Sequence, residues 1–266
     1  MEAAKRAVLV TVAAFDPGVP LNRRPGATKD ARRLHRILTR LDFKVDLHQD
    51  LHSHEIYSLF RKESRRPVSE CFLAVLSSHG EDGCVFGADG KRVWLSRVFA
   101  FFDHVDMEQK VKVFLVQACR GGVLDDGVVV DSGGGGSGEP AGDVCSDISA
   151  PVNTLVMYAT VPGYVAFMHP TGSVFLQTFC SLLEEEEHRR LELTRLMTRL
   201  SHSVAYTFQA KGRQFGVKKE MPCFLTRMTR EAFPFAEPRK DGAAAGLSAV
   251  TLLGGDVAKK RTPSIS

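Results

Sequence analysis

Val111-Lys112-Val113-Phe114-Leu115-Val116-Gln117-Ala118-Cys119-Arg120-Gly121 decides the reading of this chain. Val111 to Val116 is an almost unbroken apolar run, the pattern of a strand buried on both faces. It stops at a cysteine set between small and polar residues, which puts the thiol at a strand end. Open α/β sheets build their sites at the carboxyl ends of strands. A second apolar run, Cys71-Phe72-Leu73-Ala74-Val75-Leu76, ends in Ser77-Ser78-His79-Gly80. His79 lies three residues past Leu76, and Cys119 three past Val116. If these strands are parallel neighbours, imidazole and thiol face each other, as a cysteine nucleophile requires.

Further strand-like runs recur at 7–14, 43–47, 153–159 and 222–228, with helical patterns between most of them. Ala31, Leu34, Leu38 and Leu41 repeat at helical spacing, as do Ile56, Leu59 and Phe60 behind Ser53, which reads as an N-cap. Leu95–Phe102, 173–187 and 191–208 complete the helical set. Cys84–Trp94 reads as a small hairpin turning at Asp89-Gly90. Alternating strands and helices predict an α/β layered fold around a largely parallel sheet.

With 266 residues the chain has room for one or two domains, and 44% hydrophobic residues supply a full core. The net charge of +4 is small and no basic stripe interleaves with aromatics, which argues against a nucleic-acid partner. Six cysteines, at 71, 84, 119, 145, 180 and 223, show neither a paired spacing nor a metal spacing with histidine, so no metal or cofactor is expected. Cys71, Cys180 and Cys223 fall inside apolar patterns and are read as buried free thiols. A reducing, cytoplasmic compartment fits this usage. No run reaches the ~18 apolar residues of a membrane span. Lys5-Arg6 and the apolar stretch Ala7–Phe15 have the outline of a short leader peptide. We read them as the first core strand.

Five segments, in order, carry a family likeness: Arg24-Pro25-Gly26, Ser78-His79-Gly80-Glu81-Asp82-Gly83, Gln117–Gly121, Tyr158-Ala159-Thr160-Val161-Pro162-Gly163-Tyr164, and Lys218-Lys219-Glu220-Met221-Pro222-Cys223. Through them the chain resembles a caspase from about Arg6 to Pro234. The resemblance implies a caspase-like layered sandwich with a central, mostly parallel six-stranded sheet flanked by helices. It also implies a large subunit over 1–131, a glycine-rich linker over 132–150 and a small subunit over 151–236. Residues 237–266 continue past the family's usual end and are read as a disordered tail. The chain begins almost directly on its first strand, so no long prodomain is expected.

The chemistry follows from residue type. A thiolate is the nucleophile, and an ordinary cysteine is mostly protonated at neutral pH. His79 takes that proton and later returns it to the leaving amine. The tetrahedral oxyanion needs preorganised donors, which the resemblance assigns to the main-chain N–H groups of Gly80 and Cys119. Caspases cut after aspartate, holding its side chain with two arginines and a glutamine. Arg24 and Gln117 match two of the three, the physical logic being a guanidinium fork on a carboxylate. The family's second arginine is missing, and Met168 stands in its place. Val165 and Phe167 match the walls of the neighbouring apolar subsite. The loop before Lys218 looks shorter than in effector caspases.

Val128-Val129-Val130-Asp131-Ser132 lies where caspases are cut between subunits, which makes Asp131 the processing site, with Asp125, Asp126, Asp143 and Asp147 as competitors. Pro222–Met228 would be an edge strand, and caspases dimerise along that segment, so a homodimer or a heterodimer with another caspase is expected. Two functional readings stay open. Cys119 and His79 favour an aspartate-directed endopeptidase made as a zymogen and acting on proteins. Met168 favours a weakly active or inactive scaffold that works by pairing with other caspases.

Overall fold

The structure, a computed structural model, describes residues 3–124, 149–209 and 218–237. Asp131 and its competitors, the linker glycines, Cys145, the loop before Lys218 and the tail from residue 238 lie outside the described residues. In chain order the elements are β1 (Ala3–Thr11), α1 (Ala27–Arg40), β2 (Phe43–Gln49), α2 (Ser53–Glu63), β3 (Val68–Ser77) and three short strands, β4 (Gly80–Glu81), β5 (Cys84–Phe86) and β6 (Arg92–Trp94). Then come α3 (Leu95–Ala100), α4 (Val105–Glu108), β7 (Val111–Gln117), β8 (Thr154–Tyr158), β9 (Met168–His169), β10 (Gly172–Ser173), α5 (Val174–Glu184), α6 (Glu186–Arg189), α7 (Leu193–Thr207) and β11 (Cys223–Thr226).

Six strands form one sheet in the order β11-β8-β7-β3-β1-β2. All its pairings are parallel except β11 with β8. The apolar runs at its centre are continuous because both faces are covered. Leu73, Val75, Val113 and Leu115 pack towards α1, α5 and α7, whereas Phe72, Leu76, Phe114 and Val116 pack towards α2 and α3. On the second side Phe72, Phe99, Phe102 and Phe114 form a ring cluster with centroids 4.7 to 6.2 Å apart. Each such buried side chain contributes about 1.5–3 kcal/mol by leaving water. Lys112 is the polar interruption in β7, and its ammonium is spent on the carbonyls of Met107 and Lys110 at the foot of the sheet. Among the described residues no helix is long and apolar enough to cross a membrane.

Two local expectations change. Ser53 is the first residue of α2, not its cap. The helix start is held locally by Glu55, which accepts from the His52 N–H at 2.8 Å, and from outside by Asp89 in the β5–β6 turn, which accepts from the Ser53 N–H at 3.0 Å and the Ser53 hydroxyl at 2.9 Å. Cys223 is only half-buried, since β11 is the sheet edge; Cys84, on the hairpin, is the buried thiol that the patterning missed.

Candidate active site

The register of β3 on β7 pairs Leu76 with Val116 and Ser77 with Gln117. Ser78 N–H continues the pairing by donating to Gln117 O at 3.2 Å. His79 and Cys119 follow directly, and both line one cleft of about 300 Å³ at the carboxyl ends of the strands. Arg24, Gln117 and Met168 line it too. Val165 and Phe167 do not reach its lining, and Asp131 lies outside the described residues.

Arg24 sits in a polar loop yet is 5% exposed. Its guanidinium donates to Val12 O at 2.8 Å, Ser77 Oγ at 3.0 Å and Gln117 O at 3.5 Å, tying together the ends of β1, β3 and β7. Burial lowers its pKa to about 10, opposed by the charge of Asp30, so it remains a cation at neutral pH. Gln117 is 1% exposed, and its Oε1 has no hydrogen-bond partner among the described residues. Asp30, on α1, is the inner brace. It accepts from Ser173 N at 2.9 Å and Gln177 Nε2 at 2.6 Å, fixing the β9–β10 hairpin that carries Met168 into the cleft. Burial raises the Asp30 carboxyl, while its hydrogen bonds and Arg24 work the other way.

His79 packs on Phe15 with ring centroids 5.4 Å apart, and its Nε2 lies 2.8 Å from Asn22 O. Burial holds its pKa below the ordinary histidine value and the Arg24 charge adds to this, against the Asn22 contact. Cys119 is a half-buried free thiol. Ala166 N–H approaches its Sγ at 3.4 Å, and the Ala166 carbonyl lies at 3.7 Å. Gly80 adjoins the cysteine so closely that a Cβ there would come within 2.6 Å of Cys84 O and 3.0 Å of Cys119 O. Gly26 is equally confined: a Cβ would collide with His169 O and come within 2.7 Å of Met168 Sδ.

Arg120 anchors the segment that follows β8. Its main chain pairs with Tyr164 O and Gly163 N, each at 2.9 Å. Its guanidinium bonds Asp82 at 2.8 Å and lies 4.1 Å from the centre of the Tyr158 ring. Three of the quoted segments are thereby joined at one point. Ala166, Asp30 and Glu220 escaped the sequence reading. Asp30 alone left a trace, as an acid on the buried face of α1. Among the described residues no group of three or more histidine, cysteine or acidic side chains converges as a metal site.

Comparison with known proteins bears on the family and the fold. A family profile described as "Caspase domain" matches residues 4–234. Caspase-7 of Gallus gallus is 30% identical over 242 residues, covering 86% of this chain and 76% of the relative. Caspase-3 of Bos taurus is 34% identical over 220 residues, covering 79% and 77%. The crystal structure of caspase-1 from Spodoptera frugiperda shares the fold with a TM-score of 0.75 at 24% identity, over 88% of this chain and 92% of that one. The chain belongs to the caspase family, a family of cysteine endopeptidases.

Proposed function

We propose that this chain is a cysteine endopeptidase that cleaves proteins after aspartate and matures by a cut after Asp131 in the linker. The observation that carries the reading is the common cleft of His79, Cys119, Arg24 and Gln117 at the ends of adjacent parallel strands. In the proposed reaction Cys119 Sγ, giving its proton to His79, adds to the carbonyl carbon of the scissile bond. The oxyanion is held by the main-chain N–H groups of Gly80 and Cys119. Collapse breaks the C–N bond, and His79 returns the proton to the departing amine. Water, deprotonated by His79, then releases the acid from the thioester. Arg24 and Gln117 receive the substrate carboxylate. Val165 and Phe167 serve the next, apolar subsite, although they stand off the present cleft lining.

The edge strand β11 is half-buried over Cys223, Phe224 and Leu225, which supports pairing with a second copy or with another caspase. A second reading, a weakly active or inactive scaffold acting through such pairing, is favoured by Met168 in the pocket and by the Ala166 main chain lying against Cys119 Sγ. Labelling separates the two. After cleavage at the linker, a peptidyl-aspartyl electrophile should modify Cys119 and no other cysteine, as read by peptide mapping. Labelling that persists in Cys119→Ala would remove the nucleophile assignment. Failure to label, with Cys119 still alkylated by iodoacetamide, would favour the scaffold.

A further inference from the structure

Among the described residues, Glu220 is an acid in the interior without a counter-charge. It is 1% exposed. Its Oε2 accepts a 2.6 Å hydrogen bond from the main-chain N–H of Phe167, and its Oε1 is buried with no hydrogen-bond partner among the described residues. No charged neighbour among the described residues contributes to its electrostatics. A buried carboxyl placed like this costs more than a leucine of similar volume. What it supplies, and leucine does not, is an acceptor for the Phe167 N–H. That group lies in the segment whose Ala166 touches Cys119 Sγ and whose Met168 lines the cleft.

We infer that Glu220 is a positioning residue, the interior post on which the segment Val165–Met168 is hung, so that Ala166 and Met168 stand against Cys119 and Arg24. Its consequence for cleavage rests on the endopeptidase reading; the contact itself does not. Phe167 is held on its other side by its ring, whose centroid lies 5.2 Å from that of Phe208. Lys218 and Lys219 flank Glu220 on its own segment, and the Lys219 ammonium is engaged by Phe208 O at 3.0 Å. His169 on β9 bonds Thr171 Oγ1 at 2.8 Å, and Cys119 lies beyond Ala166.

Burial pushes the Glu220 carboxyl from 4.5 up to about 8, the Phe167 N–H opposing. The neutral acid therefore holds the segment at neutral pH. The sign follows from linkage. Opening the segment lets the carboxyl ionise in water, so opening becomes easier as pH rises from 4.5 towards 8 and levels off above it. Glutamine has the same shape, the same accepting carbonyl and no titration.

Hydrogen–deuterium exchange at the Phe167 amide tests this, measured between pH 6 and 9 and corrected for the intrinsic rate, for wild type, Glu220→Gln and Glu220→Leu. Wild-type protection should fall several-fold per pH unit up to about pH 8. Glu220→Gln should hold protection within about twofold over the same range, and Glu220→Leu should lose at least tenfold throughout. KM for an aspartyl peptide should rise with pH in wild type and stay level in Glu220→Gln. If Glu220→Leu does not fold, wild type against Glu220→Gln still decides. Parallel pH profiles for those two, or a Glu220→Leu protein as protected as wild type, would overturn the inference. If no form cleaves peptide, the endopeptidase reading fails while the exchange data still judge Glu220.

Discussion

Replacing Met168 by arginine probes the feature that most separates this pocket from the family's pattern. Arg24 offers five N–H donors, but it already donates to Val12 O, Ser77 Oγ and Gln117 O. Two of the five N–H groups are left for a substrate carboxylate, and Met168 adds none. A hydrogen bond to a charged group contributes roughly 1.5–3 kcal/mol. A fully buried carboxylate left without a partner costs about 3–5 kcal/mol. At ~1.4 kcal/mol per decade these bounds span roughly tenfold to several-thousand-fold in kcat/KM. Met168 is only half-buried at the mouth of a cleft that opens to solvent. Water therefore partly replaces the lost contact, and the lower end applies: Met168→Arg should raise cleavage after aspartate by about ten- to a hundredfold. The assay is kcat/KM on one aspartyl peptide, with both forms cut at the linker and confirmed dimeric. An unchanged rate in Met168→Arg, with wild type already fast, would refute the placement of Met168 in the aspartate pocket.

The remaining predictions concern maturation and the histidine. Asp131→Ala should leave a single chain when an active caspase is added, while wild type yields a small fragment beginning at Ser132; a fragment beginning at Ser146 or Ile148 would move the site along the linker. The acid limb of kcat/KM should have its midpoint below the ordinary histidine value of 6.5, because burial and Arg24 both favour neutral His79. For stability the sign is the same: the neutral ring's contribution is complete above 6.5 and is lost as pH falls below it. Removing the Arg24 charge with Arg24→Gln should raise the midpoint measured on Cys119 alkylation, and a midpoint that stays put would show that Arg24 does not act on His79.

The central strands were legible because burial on both faces leaves a solid apolar run, as in Val113–Val116 and Phe72–Leu76. The matching ends of those runs point to His79 and Cys119, which both line the cleft. Arg24 was legible only through the family likeness, because its burial depends on the carboxyl ends of three strands distant in sequence. The β9–β10 hairpin escaped because each strand has two residues. Its geometry is set by Asp30, 143 residues from Ser173. The start of α2 misled in part for the same reason: Asp89, 36 residues away, adds to the local contact of Glu55 with the His52 N–H. Glu220 gave no signal, since nothing in its neighbours announces a buried N–H at Phe167.

Peptide-library cleavage by protein cut at the linker and confirmed dimeric tests the central claim most directly. The account predicts hydrolysis confined to bonds after aspartate, absent in Cys119→Ala and in His79→Ala. Hydrolysis after other residues at comparable rates would contradict the assignment of Arg24 and Gln117. No hydrolysis at all, from a folded dimer whose Cys119 still reacts with iodoacetamide, would contradict the enzyme and leave the scaffold.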